Sequence, residues 1–447
     1  MTNTKQLLKL GTGILAASTL LMTACGTDSA SENTGTNDTT DDATSETSNG
    51  ETIEITFWHA MNGPHQEAVT ALTEAFNDSQ DQYRVVEQNQ GGYDDLNQAI
   101  TGAGVAGNLP TMSQLTSTDV PELATNELLL PLSDEFLIEN GFQEETLSDI
   151  YEGFKDSSIF NEQRYAMPFS KSTRLMFINE DILEEFGVDV PESWEDIRAL
   201  GEMMVDAGDD RVAMGLENGF DMEFETMARQ NGTDFINGDT LEVEINSTES
   251  VEALTFLSEM LEEGYARTAG EDGYFSGPFG RGESALYIGS SAGLAHVAPV
   301  ADENGIQWGT AEVPTFNDKN LTMFAGNDIG LYSSASDEEQ AGYVAYINFL
   351  LQPENTAQWA METGYVPIVE SALEVPEYAS FLEEDPRNEA AASMLSYGIT
   401  SPTFAGYGEY RNALTDAMEA ISISNEDPQS VLDHLQSETE SIIESNN

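Results

Sequence analysis

Positively charged side chains in loops are the first residues of this sequence whose types could do chemistry. The chain has 81 acidic residues but only 15 lysines and arginines. Three of these cations lie in segments rich in glycine, serine or tyrosine: Lys171 in MPFSKSTRL, Arg281 in GPFGRGES and Arg411 in GYGEYRNAL. Such a cation can hold an anionic ligand through charge-assisted hydrogen bonds. The alternative for each is an ion pair with a nearby carboxylate, and the sequence leaves both open.

A serine motif offers a second kind of chemistry. Residues 289–293 read Gly-Ser-Ser-Ala-Gly, which matches the G-x-S-x-G of a nucleophile elbow centred on Ser291, and His434 follows in hydrolase order. The sequence has no HGGG-type segment that would build an oxyanion hole. The same turn, with Ser290 at the start of a helix, makes an anion cradle of backbone N–H groups. We predict binding without catalysis and keep a secreted serine hydrolase as the alternative.

The histidines and tryptophans give weaker signals. His59 and His65 are six residues apart, and no third ligand follows at a spacing typical of a metal site. We therefore predict neither a metal nor a cofactor. Trp58 ends a predicted strand, where α/β proteins often bind ligands, so it is a candidate for stacking against one. Trp58 and Trp194 both have core packing as the alternative.

The only cysteine of the chain, Cys25, marks the end of a targeting segment. Lys5 and Lys9 precede a mostly apolar run, which is typical of a secretory signal peptide over residues 1–24. The letters around Cys25, LMTAC, resemble a bacterial lipobox, in which the cysteine is lipidated and becomes the first residue. Residues 25–52 contain almost no apolar side chain, so we predict an acidic, disordered tether. An anchored body on the outer face of the membrane is the expected result.

The charge and the length set the class of the protein. A formal net charge of −66 excludes nucleic acid as a partner and favours a high-salt or alkaline habitat, where ions screen self-repulsion. The residues after the tether are too many for one compact core and fit two lobes.

Hydrophobic periodicity predicts the elements that must position these residues. Ile53, Ile55 and Phe57 alternate as in a strand, and the following segment carries apolar residues at helical spacing. YRVVEQ predicts a second strand and YDDLNQAITGAG a second helix. The same order returns at RLMFINEDILEEFG and SALYIGSSAGLAHVA, and the segment after Tyr410 is helical and acidic. Strand and helix in alternation predict an α/β fold with parallel strands.

Several stretches resemble the extracellular solute-binding proteins of bacterial ABC importers. They are FWHAMNGPHQEAVTALTEAFNDSQ, MPFSKSTRLMFINEDI, PESWEDI, GESALYIGSSAGLA and FLLQPENTAQWAMETGYVPI. The resemblance implies the two-lobed type II periplasmic-binding-protein fold, with discontinuous lobes joined by hinge strands and a ligand cleft between them. We expect one lobe over 53–166 and 318–372 and the other over 167–317 and 373–447. It also implies a monomer that performs no chemistry and passes its ligand to permease subunits.

The chain is most similar to the glycerol-phosphate-binding members, and this resemblance implies a set of ligand residues. It implies phosphate contacts from serine hydroxyls, a backbone amide, a tyrosine and an arginine, and a second tyrosine at the glycerol end. In the order of the chain, the implied ligand residues are Tyr93, Ser172, Ser290, Gly326, Tyr365 and Arg411. Neutral donors with one arginine can hold a phosphate without several buried cations.

Three departures from those members alter the other end of the ligand. A glutamate that faces the glycerol hydroxyls is replaced by Ser117, with Asp119 close by. A pair of tryptophans in the second lobe is replaced by Phe220 and Phe224, and Lys171 adds a cation. We therefore expect a small polyol phosphate such as sn-glycerol 3-phosphate or a related compound. The alternative is an unphosphorylated sugar or oligosaccharide.

Overall fold

The computed structural model describes residues 52–155 and 157–446. The predicted signal peptide, Cys25 and all of the tether but its last residue lie outside this range. Within it, no helix combines the length and the apolar character that a membrane crossing requires.

Twelve strands and eighteen α-helices make up the described part of the chain. The strands are β1 Ile53–His59, β2 Tyr83–Asn89, β3 Met112–Leu115, β4 Ile159–Phe160, β5 Gln163–Arg164, β6 Ala166–Asn179, β7 Val212–Leu216, β8 Ala266–Thr268, β9 Ser284–Ser290, β10 Trp308–Ala311, β11 Thr322–Leu331 and β12 Gly398–Ile399. The first nine helices are α1 Gly63–Ser79, α2 Tyr93–Ala106, α3 Asp119–Thr125, α4 Asp134–Glu139, α5 Glu144–Asp149, α6 Glu152–Lys155, α7 Glu180–Phe186, α8 Trp194–Ala207 and α9 Asp221–Asn231. The others are α10 Thr248–Glu262, α11 Ser276–Gly280, α12 Leu294–Asn304, α13 Asp337–Leu350, α14 Pro353–Thr363, α15 Pro376–Glu384, α16 Glu389–Ser393, α17 Tyr407–Ser424 and α18 Pro428–Asn446.

One long mixed sheet organises these elements. Its strand order is β2-β1-β3-β11-β6-β9-β7-β8, with β12 paired to β11 and β10 paired to β6, while β4 and β5 form a separate hairpin. The pairs β1–β2, β1–β3, β7–β8 and β7–β9 are parallel, as the alternation of strands and helices predicts. Strands β6 and β11 run antiparallel to their neighbours β9 and β3 and to each other.

Strand β6 connects the two halves of the sheet. Its first half pairs with β11, and its second half, Arg174–Ile178, pairs with β9. All fourteen of its residues are buried, because neighbours cover it throughout. The strand begins before the RLMFIN segment that the pattern indicated and includes the MPFS residues as well. The lobe boundaries given above stay predictions.

Local sequence signals account for many element ends. Ser193 caps α8 in a capping box with Asp196, as its position before Trp194 predicts. Helix α7 ends at Gly187, which adopts the left-handed conformation that favours glycine at this position. The acidic C-terminal segment is helical, as predicted, but Asn425 divides it into α17 and α18.

Separate hydrophobic clusters support the two halves of the sheet. One contains Phe57, Val69 and Tyr343 with the β1 and β11 side chains, and it extends to Phe177 and Tyr287 on the inner strands. The other joins β7 and the second half of β6 to α8, α9, α10, α17 and α18. Trp194 and Trp359 are fully buried within these cores, so Trp194 has a packing role.

Candidate functional site

Two cavities that share Tyr93 lie among the described residues. The first has a volume of about 380 Å³ and contains four of the predicted ligand residues: Tyr93, Ser117, Gly326 and Arg411. The second has a volume of about 520 Å³ and contains three of them: Tyr93, Ser290 and Tyr365. Of the residues that the resemblance assigned to the phosphate, Gly326 and Arg411 line the first cavity, and Ser290 and Tyr365 line the second.

Tyr93 stands at the junction of the two cavities. It begins α2 after the Gly91-Gly92 turn, and 43% of its surface is exposed. Its hydroxyl accepts hydrogen bonds from Asn327 Nδ2 at 3.1 Å and from Gln114 Nε2 at 3.4 Å, and it also bonds the hydroxyl of Tyr365. Burial raises the pKa of this hydroxyl, so it stays protonated.

Arg411 reaches the first cavity from the first turns of α17. Its Nη1 lies 2.6 Å from Oδ2 of Asp221, the first residue of α9. Asp221 is only 4% exposed, and burial raises the pKa of its carboxyl while the charge of Arg411 opposes that shift. The two alternatives given for Arg411 are therefore compatible, because the side chain forms an ion pair and also lines a cavity.

Gly326 is glycine for a steric reason. It has φ of +105°, and a Cβ at this position would lie 1.9 Å from the carbonyl oxygen of Ser170 on β6. Both observations require the smallest residue where β11 pairs closely with β6. The pairing changes register between Asn327 and Asp328, immediately after it. This irregularity accompanies the exposure of the Gly326 backbone to the first cavity.

Aromatic side chains form part of the wall of the second cavity. His65 and His296 lie with their ring centroids 5.2 Å apart, and His65 also packs against Tyr365 at 5.1 Å. Burial, and after it the neighbouring His296, lowers the pKa of His65 to about 4. Burial lowers the pKa of His296 as well. Both rings are therefore neutral near pH 7 and bring no positive charge to the cavity.

Arg174 is the cation of the second cavity, and our sequence reasoning missed it. Its Nε lies 2.8 Å from Oε1 of Glu223, and its Nη2 lies 3.3 Å from Oε2 of Glu217. Tyr287 donates a 2.7 Å hydrogen bond to the other Glu217 oxygen. Burial raises the pKa of Glu223 to about 7, although Arg174 works in the opposite direction. The signal was available, because Arg174 follows Lys171 in the same MPFSKSTRL segment.

Three predicted residues line neither cavity. Lys171 is buried, with its Nζ 2.5 Å from Oδ1 of Asp328. Ser172 is buried in β6 opposite Ala325, and the indole N–H of Trp58 donates to Gln88 at 2.9 Å. Lys171 therefore forms an ion pair with a carboxylate of the protein, which was the alternative to a ligand contact.

The same alternative holds for the third loop cation. Arg281 forms ion pairs with Asp272 and Glu283. Its guanidinium therefore has carboxylate partners within the protein itself.

The serine motif lacks the arrangement of a nucleophile. Ser291 has no exposed surface, and its hydroxyl accepts a hydrogen bond from the Thr173 N–H at 3.4 Å. The His434 side chain is 82% exposed on α18, where it approaches Glu438. Ser290 instead caps the turn that follows β9 by accepting from the Ala292 N–H at 3.2 Å. Across residues 52–155 and 157–446, no group of three or more His, Cys, Asp or Glu side chains could hold a metal ion.

The arrangement can bind a polar ligand through several hydroxyl groups and one cation. Ser117 and Arg411 line the first cavity as donors, whereas the hydroxyls of Thr116, Thr400 and Ser401 donate to Asp119, Gly153 and Glu225 and can accept hydrogen bonds from a ligand. These residues come from segments before and after β6 in the chain, and the fold brings them to one cavity. Exclusion of water would then strengthen each hydrogen bond.

A family model and curated relatives match most of the chain. The model described as "Bacterial extracellular solute-binding protein" matches residues 71–390. The sn-glycerol-3-phosphate-binding periplasmic protein UgpB of Escherichia coli (strain K12) is 24% identical over 402 residues, which cover 85% of this chain and 90% of the relative. The same protein of Shigella flexneri serotype 5b matches with the same identity and coverage.

Solved structures match the fold over nearly the same range. UgpB from Mycobacterium tuberculosis in complex with glycerophosphocholine has a TM-score of 0.78 at 22% identity, covering 89% of this chain and 99% of that one. The cyclic α-maltosyl-1,6-maltose binding protein from Arthrobacter globiformis has a TM-score of 0.76 at 20% identity, covering 88% and 100%. These similarities confirm the predicted two-lobed type II α/β fold.

Proposed function

The chain belongs to the bacterial extracellular solute-binding proteins of ABC importers, and we propose that its ligand is a small polyol phosphate such as sn-glycerol 3-phosphate. A protein of this class binds its ligand and releases it unchanged to the transporter. The residues described above therefore act as ligand contacts and as groups that hold those contacts in place.

Arg411 is the observation that carries this proposal. It lines a cavity whose other walls offer hydroxyl groups and the backbone of Gly326. A guanidinium gives two parallel N–H groups that match the oxygens of a phosphate, and the hydroxyl of Ser117 is a further donor in this cavity. The E. coli relative is named for binding sn-glycerol 3-phosphate, which supports the same choice of ligand. Tyr93 would then contact the polyol end.

A neutral sugar is the second candidate, and the charges of the first cavity favour it. Asp94 and Asp119 line this cavity together with Arg411, which Asp221 already neutralises. Carboxylates accept hydrogen bonds from sugar hydroxyls, whereas they repel a phosphate. The Arthrobacter structure is of a protein named for binding a maltose-derived sugar.

We propose that capture proceeds by closure about the strands between the lobes. The proposed lobes comprise 53–166 with 318–372 and 167–317 with 373–447. Strand β6 joins the two halves of the sheet, since it pairs with β11 along its first half and with β9 along its second, and so is the natural hinge. Ligand contacts made by both lobes would stabilise the closed state. We take the functional unit to be a monomer that presents this closed state to permease subunits.

A thermal-shift series tests the choice of ligand. The protein is heated in about 1 M NaCl, which screens a net charge of −66, with sn-glycerol 3-phosphate, maltose or glycerol. We expect the largest increase in melting temperature with sn-glycerol 3-phosphate, because a ligand at 100 times its Kd adds about 2.7 kcal/mol of stability. An increase with maltose and none with the phosphate would establish the second candidate in its place.

We also propose that Cys25 is lipidated and holds the body at the outer face of the membrane. The observation is the apolar segment that ends in LMTAC, followed by a polar tether. Acyl chains contribute about 0.8 kcal/mol for each buried methylene group, so two or more chains anchor a protein durably. The Cys25→Ser variant should therefore appear in the soluble fraction with an unchanged melting temperature. Retention of the variant in a salt-washed membrane pellet would exclude lipidation as the anchor.

A further inference from the structure

We propose that Asp221 is a specificity-determining residue, whose carboxylate competes with an anionic ligand for the single guanidinium of Arg411. The inference rests on the proposed phosphate contact of Arg411 and adds a residue that was not among the predicted ligands. Asp221 does not itself line the first cavity; it lies behind Arg411 and acts through it.

The geometry makes this competition direct. Oδ2 of Asp221 lies 2.6 Å from Nη1 of Arg411, and the carboxylate is almost completely withdrawn from solvent. The arginine side chain is 27% exposed, so one face points to the cavity and the other to Asp221. An anion bound to the cavity face would share one positive charge with a carboxylate that has no water to screen it.

The groups around Asp221 give it little other compensation. Arg411, Tyr407 and Tyr410 face it from α17, Arg174 acts on it from β6, and Glu223 lies two residues later on α9. Arg174 is already engaged by Glu217 and Glu223. The charged members of this cluster are Arg174, Arg411, Asp221, Glu217 and Glu223. When all of them are ionised, two arginines face three carboxylates, so the net charge of the cluster is negative before any ligand binds.

A bound phosphate therefore favours the neutral form of Asp221. If Asp221 stays ionised, its carboxylate repels the bound phosphate. If Asp221 takes up a proton, the charge of Arg411 interacts with the phosphate alone. Burial already raises the pKa of this carboxyl, and the negative charge of a nearby phosphate raises it further, so phosphate binding favours proton uptake by Asp221. By linkage, a complex that holds more protons than the free protein and ligand binds more weakly as the pH rises. A neutral sugar adds no charge and should show no such dependence.

Calorimetry on the full chain tests the inference with sn-glycerol 3-phosphate and maltose as probes. Titrations at pH 7.5 and 8.5, where the phosphate is fully ionised, are run in two buffers of different ionisation heat at a fixed 1 M NaCl. For wild type we expect net uptake of up to one proton on phosphate binding and weaker binding at pH 8.5. Asp221→Asn should bind the phosphate about tenfold tighter at pH 8.5, with less proton uptake, because it removes the competing charge.

The matched control is Glu225→Gln, which removes a buried carboxylate one turn later on the same helix. Glu225 pairs with Arg229 instead of Arg411, and it accepts a hydrogen bond from Ser401 that a glutamine oxygen can still accept, so this substitution should change phosphate affinity much less. Equal affinities of wild type and Asp221→Asn, or equal proton uptake by both, would overturn the role of Asp221. Glu223→Gln supplies a second test, because the pKa of Glu223 is about 7 and Glu223 could take up the proton instead. Uptake retained by Glu223→Gln assigns the proton to Asp221, and uptake lost in that variant overturns the role of Asp221.

The Arg411→Ala variant shows whether a negative result contradicts only the role of Asp221 or also the proposed phosphate contact of Arg411. If Arg411→Ala loses phosphate affinity and Asp221→Asn gains none, Arg411 binds the ligand and only the competition is wrong. If neither variant changes phosphate affinity, the contact at Arg411 is absent and both proposals fail.

Discussion

Arg411→Ala should lower the affinity for sn-glycerol 3-phosphate by 30-fold or more. The substitution removes charge-assisted hydrogen bonds from a site that closes around its ligand, a loss of roughly 2 to 5 kcal/mol of binding free energy. It also leaves the buried carboxylate of Asp221 without its partner, which adds repulsion toward the phosphate. Arg411→Lys should recover only part of the affinity, because an ammonium cannot reproduce the planar fork of a guanidinium.

The measurement is calorimetry at one fixed high salt concentration. Arg198→Ala is the matched control, since Arg198 lies on α8 and pairs with Glu259. It removes the same charge from a residue that lines neither cavity, so its affinity should equal that of wild type. Repeating Arg411→Ala in an Asp221→Asn background removes the unpaired carboxylate and keeps loss of binding apart from loss of stability. A change below about threefold in both backgrounds would remove Arg411 from the site.

Lys171→Met should destabilise the protein by roughly 3 to 5 kcal/mol and leave ligand affinity unchanged, because it breaks a buried ion pair. The side chains of Lys171 and Asp328 are nearly inaccessible, and Asp328 also accepts hydrogen bonds from Ser157 and Ser158. Loss of the ammonium leaves a buried negative charge where β6 pairs with β11. Denaturant unfolding at fixed salt measures the effect.

The double variant Lys171→Met with Asp328→Asn is the control for that experiment. It removes both charges together, so most of the lost stability should return, since a buried pair costs less to replace than to break. Recovery identifies the unpaired carboxylate as the cause. Equal stability of Lys171→Met and wild type would contradict the structural role of the ion pair. A loss of ligand affinity in a folded variant would identify Lys171 as a ligand contact.

Local patterns in the sequence predicted most of the elements that frame the site. Alternation predicted β1, apolar residues at helical spacing predicted the helix α1 that follows it, and Ser193 caps α8 from its position before Trp194. These signals work because a strand or helix buries one face at a fixed period, and a cap satisfies backbone groups only a few residues away. The short helices over 119–155 and 376–393 have no strong hydrophobic period, so the sequence carries no clear signal for them.

The resemblance predicted ligand residues that the structure brings near one another, although their roles stay predictions. Tyr93, Ser117, Gly326 and Arg411 line the first cavity, while Ser290 and Tyr365 join Tyr93 in the second. That these residues divide between two cavities depends on how the elements pack, and no spacing along the chain indicates it.

The sequence by itself determined the α/β class, the family and the scarcity of cations; only the tertiary structure decided what each cation faces. Lys171 and Arg174 lie three residues apart on one strand, so the period of two puts them on opposite faces. Lys171 meets Asp328, whereas Arg174 meets Glu217 and Glu223 beside a cavity. In each pair the partners lie tens of residues or more apart in the chain. The physical reason is that an ion pair depends on distance in space, while a pattern in the sequence reports only the few neighbours within one turn or one pleat.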